Sequence, residues 1–193
     1  MLSPYGTPML NDDQRRRLLA MARESVVARV SGSQAGSAAR FDCPTAAGVF
    51  VTLKISGQLR GCLGTLEWVD ELAAEVARCA ADAASEDSRF PPVTPPELQD
   101  LSVEVSVLGP LERIEPCQDG VERSITIGLH GLVVEQGRRR GLLLPQVATE
   151  RDWTDEQFLR QTCVKAGLAP EAWQHGATVY RFVAEVFGDV ASL

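Results

Sequence analysis

Residues 48–68 read GVFVTLKISGQLRGCLGTLEW, and this segment is the most informative part of the sequence. Apolar and polar residues alternate on both sides of the segment Ser56-Gly57-Gln58, with the period of two that indicates a strand. Gly57 favours a turn, because glycine tolerates the positive φ that hairpin loops demand. The stretch therefore predicts a β-hairpin that carries Cys62 between glycines in its second strand.

The length of the hairpin loop decides which side chains share a face. A two-residue loop would place Arg60 and Cys62 beside apolar residues of the first strand, whereas a three-residue loop separates polar from apolar side chains. Because a one-residue slip moves every side chain to the other face, we expect the three-residue loop. The apolar face would then hold Val49, Val51, Leu53, Leu59, Gly61 and Leu63. The polar face would hold Thr52, Lys54, Arg60 and Cys62.

Cys62 has two interpretations. Arg60 would lie two residues away on the same face, about 6.5–7 Å along a strand, and a nearby guanidinium favours the reactive thiolate. Gly61 and Gly64 lack side chains, which leaves space for a ligand or another backbone to approach. Free cysteines are also among the most buried residue types, so a structural cysteine packed by glycines remains open.

The rest of the chain alternates between helix and strand patterns. Helix patterns follow three expected N-cap residues, namely Asn11, Asp70 and Thr154. Strand patterns cover residues 101–108, a second hairpin that turns at Gly137, and residues 178–187. Hairpins with helices before, between and after them predict an α+β fold, with a mainly antiparallel sheet flanked by helices.

Four segments repeat a known pattern in a known order. They are FVTLKISGQLRGCLGTLEW, DSRFPPVTPPELQDLSVEVSVLGP, IGLHGLVVEQGRRRGLLLPQVA, and FLRQTCVKAGL followed by Trp173. Over residues 18–187 the chain resembles the AMMECR-domain family, called protein A of the AmmeMemoRadiSam system in prokaryotes. Ser88 departs from the family's proline at that position. Residues 1–10 are expected to form a flexible tail, and the resemblance implies one AMMECR-type domain at residues 11–193.

The resemblance also implies two lobes within that domain. The larger lobe is expected to be built from both chain ends, and the smaller lobe from an internal segment. A cleft is expected to hold the functional residues. The resemblance leaves the reaction itself open, so the chemistry has to come from the residues.

Cys62 and His130 are the candidate catalytic residues. A cysteine needs a base or a cation to act as a nucleophile at neutral pH, and His130, in the family-like run GLHGL, is the candidate base. The opposing interpretation makes His130 a hydrogen-bonding residue at a strand end. The residues expected to bind substrate are Thr52, Lys54, Arg60, Gly61, Gly64, Asp87 and Arg89. For Asp87 and Arg89, a pair that fixes a loop is the alternative.

Composition limits the classes of function. The chain has 193 residues and a net charge of −7, which argues against general binding to nucleic acid or anionic membranes. Five cysteines without a CxxC pair and two histidines fit no common metal site, so neither a metal nor a cofactor is predicted. Cys79 and Cys163 fall on apolar helix faces and are expected in the core. No membrane span is predicted, and a reduced, cytoplasmic protein is expected.

Two functions of different classes stay open. The first is an enzyme that uses Cys62 on a small polar or anionic substrate. The second is a non-catalytic adaptor whose polar groove receives a small ligand or a segment of a partner. In either case the resemblance implies Memo-like and radical S-adenosylmethionine (radical SAM) proteins as partners. A homodimer is also left open.

Overall fold

The computed structural model describes residues 10–33, 41–115 and 120–189. Within them the helices are α1 (Asp12–Ser31), α2 (Leu72–Ser85), α3 (Pro145–Glu150) and α4 (Asp155–Lys165). The strands are β1 (Gly48–Ile55), β2 (Gln58–Thr65), β3 (Leu101–Leu108), β4 (Glu112–Arg113), β5 (His130–Gln136), β6 (Arg139–Leu143) and β7 (Thr178–Gly188). The pairs β1–β2, β1–β3, β4–β7, β5–β6 and β5–β7 are all antiparallel, which confirms the predicted α+β class. Cys117 and all of the expected tail except Leu10 lie outside the described residues.

The chain divides into two compact units. The first comprises Met1–Leu108 and Glu185–Leu193, and the second comprises Gly109–Ala184. In the first unit the strands follow the order β2-β1-β3, with the C-terminal end of β7 beyond β3. In the second unit β7 pairs with both β4 and β5, and β6 lies beyond β5. Strand β7 therefore contributes residues to both units.

The first unit has its core between the sheet and helices α1 and α2. Helix α1 begins with reciprocal hydrogen bonds between Asn11 and Gln14, which confirms the predicted cap. One face of the sheet is fully buried through Val49, Val51, Leu53, Val105 and Val107. Each such side chain stabilises the fold by about 1.5–3 kcal/mol through burial, so this face fixes the register of the hairpin.

Helix α2 begins later than the sequence predicts. It starts at Leu72, and its N-cap residue, Glu71, makes no capping hydrogen bond with its side chain. The prediction of Asp70 as the cap is wrong, because the Asp70 carboxylate instead accepts a hydrogen bond from Trp68 Nε1 at 3.0 Å. Val69 exchanges two backbone hydrogen bonds with Ala46, and this bridge keeps the residues before Leu72 extended.

The second unit packs helices α3 and α4 against hairpin β5–β6. The hairpin turns at Gly137, and Thr154 caps α4, both as predicted. The core contains Leu132, Val134, Phe158 and Leu159, all fully buried. Cys79 in α2 and Cys163 in α4 are also fully buried, which confirms their predicted place in the core.

Within the described residues, no helix has the length and apolar character that crossing a membrane requires.

Candidate functional site

The turn of hairpin β1–β2 is one residue shorter than predicted. Ser56 and Gly57 form it alone, with φ angles of 50° and 75°, and two positive φ angles are what a type I′ turn requires. Gln58 already pairs with Ile55. The expected three-residue loop is therefore wrong.

A β-bulge in β2 restores the register that the longer loop was expected to give. Lys54 pairs with Leu59, whereas Leu53 pairs with Gly61, so Arg60 is the extra residue. Beyond the bulge the predicted faces are confirmed. Before the bulge, the predicted face of Leu59 is wrong. Leu59 pairs with Lys54 and is 42% exposed, whereas it was expected on the buried apolar face.

Cys62 lies directly opposite Thr52, on the polar face of the sheet as predicted. The Thr52 hydroxyl donates a hydrogen bond to Cys62 Sγ at 3.4 Å. Thr52 is buried and Cys62 is partly exposed. On the same face Lys54 Nζ contacts the Glu104 carboxylate at 3.2 Å. The structure therefore brings Thr52, Lys54 and Cys62 together on one surface.

The Arg60 side chain binds the proline-rich segment that precedes β3. Its guanidinium donates Nε and Nη2 to the two Glu97 oxygens at 2.7 and 3.1 Å, and also donates to the carbonyls of Pro91 and Pro92. The hydrogen bond with Arg60 is the first cause that lowers the pKa of Glu97 to about 2, followed by contacts with Thr94. Arg60 therefore ties the bulge to the proline-rich segment before β3.

Asp87 and Arg89 hold the open edge of β2 at Cys62. Asp87 Oδ2 accepts from the Cys62 backbone N–H at 2.8 Å, and Arg89 Nη2 donates to the Cys62 carbonyl at 3.3 Å. The two side chains pair at 2.6 Å, with the Asp87 side chain only 5% exposed. The hydrogen bond from Arg89 is the main reason that the pKa of Asp87 falls to about 2. This Asp87–Arg89 clamp satisfies backbone groups that an edge strand would otherwise leave open.

Arg89 is also the cation that is hydrogen-bonded to Cys62, through the Cys62 carbonyl. The pKa of Arg89 is raised first by its hydrogen bond with Asp87, and to a smaller degree by charge and hydrogen-bond interactions with Cys62. The sequence predicts Arg60 as the cation beside Cys62, because the two residues are separated by two positions in the same strand. The role of Arg89 depends on a tertiary contact, and no local pattern indicates it.

The glycines around Cys62 are covered by protein atoms. A Cβ on Gly61 would lie 2.2 Å from the Ala83 carbonyl oxygen in α2. A Cβ on Gly64 would lie 2.5 Å from the ring of Phe50, its partner on β1. Helix backbone and an aromatic ring thus fill the space that the missing side chains leave, which supports a packing role for both glycines.

His130 belongs to the second unit, whereas Cys62 belongs to the first. His130 is buried at the start of β5, where Nδ1 accepts from the Thr126 backbone N–H at 2.9 Å. Burial is the first cause that lowers the pKa of His130, and the charge of Arg181 adds to it. The ring is therefore neutral at pH 7, with its proton on Nε2. These contacts match the strand-end interpretation, and the Cys62–His130 pair stays a prediction.

Cys62 lines neither of two recesses within the described residues. One, of about 380 Å³, lies in the second unit beside Trp173 and Ile114. The other, of about 260 Å³, lies in the first unit beside Trp68 and the start of α2. Across the described ranges, no three His, Cys, Asp or Glu side chains are grouped to hold a metal ion.

The fold and the site define an α+β protein with a partly exposed thiol on an edge strand. The AMMECR1 family model matches residues 19–187. A protein of Methanothermobacter thermautotrophicus is 46% identical over 184 residues, covering 92% of this chain and 95% of the relative. A protein of Methanosarcina acetivorans is 40% identical over 185 residues, covering 93% of each.

This chain is also similar to a protein of known structure. The crystal structure of the uncharacterized protein PH0010 from Pyrococcus horikoshii has a TM-score of 0.86 and 38% identity, covering 94% of both chains. The chain belongs to the AMMECR1 family, as its four segments predict. Membership defines the fold and leaves the reaction to be argued from the site.

Proposed function

We propose that this protein is an enzyme that uses the Cys62 thiol on a small polar or anionic substrate. The observation that carries the proposal is that two polar side chains bind Cys62, one at its sulfur and the other at its backbone. The Thr52 hydroxyl donates to Sγ, and the Arg89 guanidinium donates to the Cys62 carbonyl. Catalytic cysteines are found in partly exposed sites with a hydrogen-bond donor and a cation nearby, and the surroundings of Cys62 have both features.

The surroundings of Cys62 hold the sulfur in place. The Asp87–Arg89 clamp binds both backbone groups of Cys62, and the neighbouring Gly61 packs directly on α2. A thiol fixed on a rigid strand is suited to attack a substrate bound in one orientation. Cys62 is partly exposed, so a substrate can reach the residue.

The positive charge of Arg89 indicates that the proposed substrate is anionic. Half of the Arg89 side chain is exposed, at 51%, although the guanidinium already pairs with Asp87. Its Nε and Nη2 groups bind Asp87 and the Cys62 carbonyl, and the remaining Nη1 group can donate to a carboxylate or phosphate. Arg89 thus takes the anion-binding role that the sequence suggested for Arg60. Lys54 would lie further along the same face.

The setting of the protein forms part of the proposal. We place it in the cytoplasm, working with Memo-like and radical SAM proteins. Support comes from the four segments that resemble protein A of the AmmeMemoRadiSam system. The net charge of −7 supports small molecules and proteins over nucleic acid or membranes as partners.

A non-catalytic adaptor is the second candidate. Arg60 and Asp87 are engaged in contacts that stabilise the fold, and Gly61 and Gly64 are covered by protein atoms. An adaptor would use the polar face around Lys54 to receive a ligand or a partner segment. It needs no reactive thiol, so the reactivity of Cys62 separates the two candidates.

The experiment measures alkylation rates of individual cysteines in the folded protein by peptide mass spectrometry. Cys43 is the internal control, because burial and the charge of Asp42 raise its pKa to about 11. We expect Cys62 to react faster than Cys43 at pH 7.5. Thr52→Val and Arg89→Gln should each slow Cys62, by about threefold to tenfold, where tenfold corresponds to about 1.4 kcal/mol.

Two further variants separate the candidate partners of the thiol. Arg60→Gln should leave the rate unchanged, because Arg60 is bound to Glu97. His130→Asn should also leave it unchanged, and a slower rate would restore the Cys62–His130 pair. If Cys62 reacts only after denaturation, the enzyme proposal fails and the adaptor stands.

A further inference from the structure

The loop between β2 and α2 forms a pocket outside the thiol site. This Trp68 pocket has a volume of about 260 Å³, with Trp68 at its wall and Glu67, Asp70, Glu71 and Glu75 around it. We propose that it binds Arg138, at the tip of hairpin β5–β6, from a second copy of this chain. This proposal is independent of the reaction at Cys62.

The indole of Trp68 is exposed and yet fixed. Trp68 is 62% exposed, whereas Trp173 is 7% exposed. Its Nε1 donates to the Asp70 carboxylate at 3.0 Å, which orients the ring. The indole face is the aromatic surface that attracts a guanidinium most strongly, and tryptophan with arginine is a frequent pair at the centre of protein interfaces.

The charges around the indole are suited to a cation. Four carboxylates border the pocket, and one of them, Glu75, forms an ion pair with Arg78. The N-terminal end of α2 favours negative charge in its first turn, which accounts for part of this acidity. A guanidinium over the indole would lie within reach of the Glu67 and Asp70 carboxylates, which border the same pocket.

The hairpin tip supplies a cation of the required kind. Gly137 and Arg138 form the two-residue turn between Gln136 and Arg139. Arg139 donates to the Gly167 carbonyl, and Arg140 pairs with Glu135. Arg138 is exposed, and its side chain makes no hydrogen bond or ion pair with the part of the chain that the structure describes.

Charge complementarity makes a second copy the occupant. One chain carries both the acidic pocket and a run of three arginines, while its net charge is −7. Two such copies repel each other overall, so the local contact must overcome that repulsion. The association should therefore be weak, and salt should weaken it further, because salt screens an exposed charge pair.

The test is sedimentation velocity over a concentration series at low salt. The wild-type chain should show a concentration-dependent dimer. Trp68→Ala and Arg138→Ala should each raise the dissociation constant at least about tenfold. Arg151→Ala is the matched control, because Arg151 is another exposed arginine of the second unit without a described partner, and it should change nothing.

Mixing the two variants gives the sharper result. Trp68→Ala retains the arginine and Arg138→Ala retains the pocket, so an equimolar mixture should regain a mixed dimer that neither forms alone. Both substitutions alter exposed side chains, and unchanged thermal unfolding curves verify that each variant is folded. A wild-type chain that stays monomeric at its highest soluble concentration overturns the proposal. So does a dimer that either variant retains at wild-type strength.

Discussion

Hairpin β1–β2 in the first unit and hairpin β5–β6 in the second share a construction. Each has a two-residue turn that contains glycine, and each places a glycine against a helix or its end. Gly61 lies against Ala83 of α2, and Gly141 lies against Ala166 at the end of α4. A second glycine in each hairpin is covered by a cross-strand phenylalanine. These pairs are Gly64 with Phe50, and Gly131 with Phe182.

The two hairpins differ where chemistry is proposed. The first has a bulge at Arg60 and a charged clamp on the backbone of Cys62. In the second, the pairing of β5 with β6 is regular from Leu132 to Gln136. Glycines that pack on a helix therefore occur in both units and do not by themselves mark a functional site. The bulge and the clamp are the features that set the thiol apart.

The largest expected effect tests the shared construction. Gly61→Ala and Gly141→Ala each drive a Cβ into backbone atoms, at 2.2 Å from Ala83 and 2.4 Å from Ala166. Each should lower the free energy of unfolding by about 3 kcal/mol, at the upper end of the usual cost of overpacking. Urea denaturation measures the change.

Gly32→Ala is the control for these two substitutions. Its Cβ would meet no atom within 4 Å, and only its φ of 67° opposes a side chain. The cost should be about 1 kcal/mol. If Gly61→Ala is as mild as Gly32→Ala, the close packing of the hairpin on α2 is incorrect.

The second prediction compares the edges of the two hairpins. Asp87→Asn weakens the clamp at Cys62 and should lower the free energy of unfolding by about 2 kcal/mol, as expected for hydrogen bonds to a buried charged group. Arg139→Ala removes an exposed hydrogen bond to the Gly167 carbonyl in the second unit. It should cost no more than about 0.5 kcal/mol. Equal costs in urea denaturation would contradict the special role of the clamp.

The third prediction concerns acid stability. The pKa of Asp87 is lowered to about 2 in the folded protein. The ionised carboxylate therefore makes its full contribution to the free energy of unfolding above the unfolded pKa of about 3.9. That contribution is lost as the pH falls through the folded pKa. That contribution is roughly 2.5 kcal/mol, at about 1.4 kcal/mol per pKa unit. Glu97 acts in the same direction and range. Urea midpoints between pH 5 and 2 should fall less steeply in Asp87→Asn than in the wild type.

The second unit should respond to pH in a different range. The pKa of His130 is lowered by burial, so the unfolded chain binds the proton more readily than the folded chain. The contribution of neutral His130 to the free energy of unfolding is then fully present above the unfolded pKa of about 6.5. It decreases as the pH falls below that value. His130→Asn should remove this slope between pH 7 and 5 and leave the Asp87 range unchanged. A slope that persists in the variant would contradict this assignment.

These regions also show which features the sequence could predict. The alternation around Cys62 predicted its shared face with Thr52, because burial of the opposite face fixes the register. The bulge could not be predicted, since nothing in LRGCL marks Arg60 as the extra residue. The expected cap at Asp70 failed because the Val69–Ala46 bridge is a long-range contact. The contact of Arg89 with Cys62 likewise joins residues that are far apart in the chain.

The smallest expected effect separates the two turns. Ser56 and Gly57 both have positive φ, as a type I′ turn requires, whereas in the second turn Gly137 has positive φ and Arg138 does not. Asparagine adopts positive φ more readily than serine and is preferred before glycine in type I′ turns. Ser56→Asn should therefore raise the free energy of unfolding by about 0.5 kcal/mol. Arg138→Asn should give no gain, because its position does not demand that conformation. A gain at both positions in thermal unfolding would indicate a general effect of asparagine, and a loss at Ser56 would contradict the type I′ assignment.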